Sequence, residues 1–227
     1  MVSPKESIVD VLNMKISEQK INELTKIALE AIAKDADHGI MQELLVDMVH
    51  RNVRLNQELQ DNIEVVRKLS ETDQLTQIYN RHRFVRSIEE ETSRSNRYGS
   101  AISLIMFDID HFKQVNDNFG HDVGDIVLRD LARIVEEGIR KIDVFARWGG
   151  EEFMILMPET ELEDASTVAE KLRALIENHP FPKAGNITSS FGITGYVEGE
   201  SFDEFTKRVD EALYESKENG RNRCTIK

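Results

Sequence analysis

The chain has 227 residues, 40% hydrophobic and 31% charged, with a formal net charge of −13. That length accommodates one catalytic domain and a smaller element. The acidic balance argues against sequence-independent binding to nucleic acid or to anionic lipid, while leaving room for a small phosphorylated ligand held by a few local cations. No apolar run approaches the ~20 residues that span a bilayer. The first residues, MVSPKESIVD, lack the basic, apolar and small-residue pattern of a secretory signal. The single cysteine, Cys224, has no internal disulfide partner. The expectation is a cytoplasmic protein with no membrane and no nucleic-acid partner.

Residues 1–71 contain one proline, Pro4, and one glycine, Gly39, and otherwise read as helix. Ser3 and Glu6 form a capping-box pattern with Pro4 at the first helical position. Gly39 is expected to interrupt or end the first helix. A second helix carries Met41, Leu45, Met48, Asn52, Leu55, Leu59, Asn62, Val66 and Leu69 in unbroken 4-3-4-3 spacing, a coiled-coil seam with Asn52 at an a position. This predicts a self-associating stalk, against the alternative of a helix packed on its own neighbour.

After Ser70 the texture changes to glycines, aromatics and alternating apolar runs. Ala101–Phe107 reads as a buried strand. Helical patterns follow at 122–137, 162–177 and 202–218, with strand-like stretches at 143–147, 152–157, 187–196 and 222–227. Helices and strands mixed at this density predict one α/β or α+β domain over residues 72–227.

Two pieces carry chemistry. Phe107-Asp108-Ile109-Asp110 ends a buried strand in two carboxylates, which suits a hard cation. Arg147-Trp148-Gly149-Gly150-Glu151-Glu152-Phe153, followed by an apolar run, reads as a hairpin whose glycines allow close ligand approach. Paired glutamates there are costly unless solvated or bound to metal. Together they predict a site for one or two Mg²⁺ ions, or Mn²⁺ in their place.

The pentapeptide GGEEF at Gly149–Phe153 resembles the signature of GGDEF-family diguanylate cyclases. DQLTQIYNR at Asp73–Arg81, DIDHFKQVND at Asp108–Asp117, GHDVGD at Gly120–Asp125 and KENGRNR at Lys217–Arg223 resemble further family motifs, in family order, over about two thirds of the chain. The resemblance implies an α+β domain like the palm of nucleotidyl cyclases and polymerases. It implies that two GTP are condensed into cyclic di-GMP and pyrophosphate between two facing domains. It implies that Asp108, the Ile109 carbonyl and Glu151 ligate the metal, with Glu152 assisting there or deprotonating the attacking hydroxyl. It further implies that Asn116 and Asp125 read guanine and that Lys113, Lys217 and Arg221 hold the triphosphate. Gly149, Gly150 and His121 complete the expected GTP-binding set.

Arg140-Lys141-Ile142-Asp143 is an R-x-x-D pattern separated from Gly149 by five residues, and resembles the family's inhibitory product site. Lys171 or Arg173 is a candidate further cation there. Expected partners are GTP, cyclic di-GMP, a second copy of the chain through the stalk, and a regulatory protein on the stalk. The alternative is a degenerate member that binds GTP or cyclic di-GMP without turnover. Such members usually lack a signature glutamate or metal aspartate, whereas Asp108, Glu151 and Glu152 are all present. Phe107 and Phe112 read as core, His111 as surface, and Cys224 as a small residue near the last strand.

Overall fold

The computed structural model describes Lys26 and residues 39–227. The expected capping box at Ser3–Glu6 and the body of the first helix lie outside those residues. The chain divides into two compact units, Met1–Arg67 and Lys68–Lys227. Helix α1 runs from Gly39 to Glu71. Along it the seam residues Met48, Leu55, Leu59 and Val66 are all more than half exposed. The side chains of Met41, Leu45 and Leu69 lie outside the described set. No described helix is long and apolar enough to cross a membrane.

The second unit is an α+β domain. Its elements are β1 (Tyr79–Asn80), α2 (Arg81–Tyr98), β2 (Ile102–Ile109), α3 (Phe112–Phe119), α4 (His121–Gly138), β3 (Val144–Gly149), β4 (Glu152–Pro158), α5 (Leu162–Asn178), β5 (Ser189–Gly195), α6 (Phe202–Glu218) and β6 (Cys224–Ile226). The sheet order is β1-β3-β4-β2-β5-β6. β2 lies at its centre, antiparallel to both β4 and β5.

Every residue of β2 is buried, because both faces of the sheet are covered. Alternation sorts the side chains: Ile105, Phe107 and Ile109 join the core beneath α4 and α5, while Leu104 and Met106 join the core beneath α2 and α6. Phe107 stacks on Phe191 and Phe153 at ring-centroid distances of 4.8 and 5.2 Å. Phe112 is buried as well.

α6 crosses β5 closely enough that a Cβ on Gly192 would lie 2.4 Å from the Val209 carbonyl oxygen and the Leu213 nitrogen. Glycine there lets the helix backbone rest on the strand. The same helix begins with a full capping box, Ser201 and Glu204 satisfying each other's backbone N–H groups. Position and start are thereby set for the helix that carries Lys217 in its last turn.

Asn80 caps α2 by accepting from the Arg83 backbone N–H at 3.0 Å, and its amide donates to the Ser70 carbonyl at 2.7 Å. Glu71, almost fully buried, pairs with Arg86 at 2.9 Å. The sequence carries no clear helical signal for α2. Its buried stripe is only Phe84, Ser87 and Ile88, embedded in charged residues, so the apolar period is too thin to stand out.

Candidate active site

The register of the central strands assembles the carboxylates. Asp108, near the end of β2, lies opposite Glu152, the first residue of β4. The β3–β4 turn brings Glu151 alongside, its carbonyl accepting from the Ile109 N–H at 3.4 Å. Within that turn Gly150 has φ +47°. A Cβ on Gly149 would meet the Glu152 carboxylate at 4.0 Å.

Lys217 reaches into this cluster from α6, its Nζ 3.0 Å from Asp108 Oδ1. Burial pushes the Asp108 carboxyl up to about 6; Lys217 opposes the rise, and the Glu151 and Glu152 charges add to it. Glu151 is also raised, chiefly by burial, with Lys217 opposing and Glu152 adding. Three crowded carboxylates facing one lysine favour additional positive charge.

Among the described residues no three or more His, Cys, Asp or Glu side chains form a full protein cage for a metal. The donors present are hard oxygens, few in number, on buried Asp108 and partly exposed Glu151. That set fits Mg²⁺, which commonly takes one or two carboxylates and completes its shell with water and substrate phosphate. Asp108, the Ile109 carbonyl and Glu151 are the residues that could hold it.

The second carboxylate of the strand end does not belong to this cluster. Asp110 is buried, and its oxygens accept from Ser190 Oγ at 2.7 Å, Thr188 Oγ1 at 2.7 Å and the Asn222 N–H at 3.0 Å. It is a structural knot.

A second group forms where α3 meets α4. Asn116 is near the end of α3 and Asp125 in the early part of α4, with Gly124 between them in space. A Cβ on Gly124 would fall 2.0 Å from Asn116 Oδ1, so only glycine leaves that amide its place. Asp125 is half-exposed, 3.9 Å from Arg129. Lys113 and His121 are exposed on the same helix pair, as is His111 before it. Arg221 is exposed in the turn after α6, with φ +64°. Neither Lys113 nor Arg221 has an ion-pair partner among the described residues.

The hairpin is anchored from a distance. Arg147 donates from Nε and Nη2 to the Gly150 carbonyl at 2.9 and 2.7 Å, and from Nη1 to Asp73 Oδ1 at 3.1 Å. Asp73 also accepts from the Thr76 backbone N–H and hydroxyl. Burial alone would raise the Asp73 carboxyl; the Thr76 donors and Arg147 outweigh it and hold it below its ordinary value. Asp73 and Arg147 lie inside sequence motifs, but their pairing, like the role of Gly124, has no signal in residue spacing.

The R-x-x-D residues form a turn of their own. Asp143 Oδ2 accepts from the Arg140 N–H at 2.8 Å, while Oδ1 is buried without a partner. Burial raises the Asp143 carboxyl despite Arg140. A groove of about 500 Å³ is lined by Arg140, Asp143, Glu136 and the Gln77–Tyr79 turn. Lys171 donates to the Gly138 carbonyl at 3.0 Å, next to this turn. Arg173 is engaged elsewhere, with Glu170, Glu177 and Asn222.

Residues 70–223 match the sequence family described as "Diguanylate cyclase, GGDEF domain". The chain belongs to the GGDEF family. It is 39% identical over 170 residues to the response regulator PleD of Caulobacter vibrioides, covering 72% of this chain and 37% of PleD, so the chain spans little more than a third of that relative. Among solved structures, the GGDEF fold here is similar to the coiled coil and GGDEF domain of DgcB from Caulobacter crescentus, solved in complex with c-di-GMP. The TM-score is 0.77 at 31% identity, over 81% of this chain and 99% of that one. It is also similar to the diguanylate cyclase SiaD from Pseudomonas aeruginosa, solved in complex with its activator SiaC. There the TM-score is 0.70 at 32% identity, over 98% of this chain and 87% of that one.

Proposed function

We propose that this chain is a diguanylate cyclase that condenses two GTP into cyclic di-GMP. The observation that carries the reading is the meeting of Asp108, Glu151 and Glu152 at one sheet end with Lys217, 3.0 Å from Asp108, inside a chain of the GGDEF family.

In this reading the 3′-hydroxyl oxygen of one GTP attacks the α-phosphorus of the other. The bond from that phosphorus to the α–β bridging oxygen breaks and pyrophosphate leaves. A second, symmetric attack closes the ring. Asp108, the Ile109 carbonyl and Glu151 would hold Mg²⁺, or Mn²⁺, which when bound would lower the hydroxyl pKa and neutralise charge on the leaving group. Glu152 takes the hydroxyl proton. Lys113, Lys217 and Arg221 hold the triphosphate, Arg as a planar fork and Lys as a point charge. Asp125 accepts from guanine N1–H and N2–H₂, and Asn116 supplies a second polar contact on that edge; adenine would present an acceptor to the carboxylate. Gly149 and Gly150 admit the phosphates to the hairpin backbone, and His121 lies close to the base. Positioning supplies much of the remaining acceleration.

Each domain holds one GTP, so two copies must face each other. The exposed apolar seam on α1 supports pairing through residues 1–71, with 72–227 as the catalytic domain. Similarity to SiaD over nearly the whole chain supports a protein activator acting on the stalk region. The groove at Arg140 and Asp143, with Lys171 beside it, supports feedback binding of cyclic di-GMP. Incubation of purified protein with GTP and Mg²⁺, followed by nucleotide separation, tests the reading. Cyclic di-GMP is expected; tight nucleotide binding without turnover would identify a regulator instead.

A further inference from the structure

The turn after α6 is strained. Gly220, Arg221 and Asn222 have φ of +107°, +64° and +46° in succession. Arg221 is an L-residue that disfavours this region, whereas Asn222 is of a type that tolerates it, and strain of the kind seen at Arg221 persists only where surrounding contacts over-determine it. The Arg221 N–H donates to the Ser216 carbonyl at 3.0 Å. The Asn222 side chain is clamped on both ends, accepting from Arg173 and donating to Glu177 at 2.7 Å each. The Asn222 N–H ends on Asp110 Oδ2. Of these contacts, the last alone ties the turn to the strand that carries Asp108. Asp110 is itself fixed by Ser190 and Thr188 at the start of β5 and by its own N–H to the Thr188 carbonyl at 2.9 Å.

We propose that Asp110 is a positioning residue for the phosphate grip: its buried carboxylate holds the left-handed Arg221–Asn222 turn at a set distance from Asp108, so that the Arg221 guanidinium and the metal-site carboxylate act on one triphosphate. This rests on the reading of GTP as substrate. Asp110 itself touches no substrate. Its three acceptor contacts bind the end of β2, the start of β5 and the turn after α6 into one rigid unit.

The test is a double-mutant cycle of Asp110→Ala and Arg221→Ala, read as KM against kcat for GTP and, independently of reaction, as affinity for inorganic tripolyphosphate by calorimetry. Each single variant is expected to raise KM about tenfold, the order that loss of one charge-assisted contact implies. The double variant is expected to match the singles rather than multiply to about a hundredfold, because coupled residues are not additive. Asp110→Asn keeps an oxygen for the Asn222 N–H and is expected to restore KM to near wild type. If Asp110→Ala does not fold, the cycle runs with Asp110→Ser. An unchanged KM with only a lower kcat, or a multiplicative double variant, overturns the proposal. Loss of tripolyphosphate binding in Asp110→Ala from a wild type that shows no GTP turnover would uphold the positioning role while refuting the proposed reaction. Equal tripolyphosphate binding by both proteins would refute the positioning role.

Discussion

Asp73 and Arg147, 74 positions apart in the chain, pair at 3.1 Å, and the same guanidinium holds the Gly150 carbonyl of the β3–β4 hairpin. The turn that follows α1 is thus bonded to the turn that presents Glu151. Arg147→Ala should leave the fold intact and cut GTP turnover at least tenfold, the order expected when a catalytic group is misplaced by a fraction of an ångström to ~1 Å. Circular dichroism alongside turnover checks this; full activity would show that the hairpin holds itself.

Asp73 also predicts a pH effect. Its folded carboxyl sits below the ordinary 3.8, so the folded state binds fewer protons there than the unfolded state. The stability it contributes is present above about 3.8 and is lost as pH falls through the folded value. Acid unfolding of Asp73→Asn should therefore be shallower than that of wild type below about pH 3.8, measured by fluorescence across a pH titration. Parallel curves would contradict the assignment.

Asp108→Ala and Glu152→Gln should each lower turnover by orders of magnitude with the fold retained. In chelator, Asp108→Asn should be no less heat-stable than wild type at neutral pH, because burial beside Glu151 and Glu152 already disfavours the ionised carboxyl. Raising Mg²⁺ should stabilise wild type and leave Asp108→Asn unmoved. Equal Mg²⁺ stabilisation of both proteins would displace the metal from this site.

Much of the domain is legible in the sequence where burial imposes a period. β2, the β3–β4 hairpin and helices α4 to α6 fall within a few residues of expectation because each has a strong apolar face. The site is legible only through its motifs, since the register that sets Asp108 opposite Glu152 depends on long-range pairing. The same is true of the roles found for Asp73, Asp110, Asn80 and Gly124. Asp110 looks like a cation ligand beside Asp108 in sequence; in the fold three donors from two other segments occupy it.

Micromolar cyclic di-GMP should slow the enzyme, and Arg140→Ala should relieve that inhibition. Lys171→Ala should weaken it to a smaller degree, whereas Arg173, committed to Glu170 and Glu177, should matter only through stability. A titration with identical inhibition of wild type and Arg140→Ala would refute the site.

The exposed seam predicts concentration-dependent pairing. Asn52 and Asn62 within it lower the stability of a dimer and leave it open to control. Leu55→Asp with Leu59→Asp should leave the catalytic domain folded, monomeric and nearly inactive. Sedimentation and turnover measured over the same protein concentrations decide this; an active dimeric variant would show that the seam plays no part.

Single-turnover and steady-state assays of the purified chain with GTP and Mg²⁺, with products resolved by chromatography, decide whether it condenses GTP. Cyclic di-GMP and two pyrophosphates per product are expected, with specific activity rising with protein concentration and with both products lost in Glu152→Gln. A folded, dimeric, Mg²⁺-loaded wild type that leaves GTP unchanged would mean that the chain is not a cyclase.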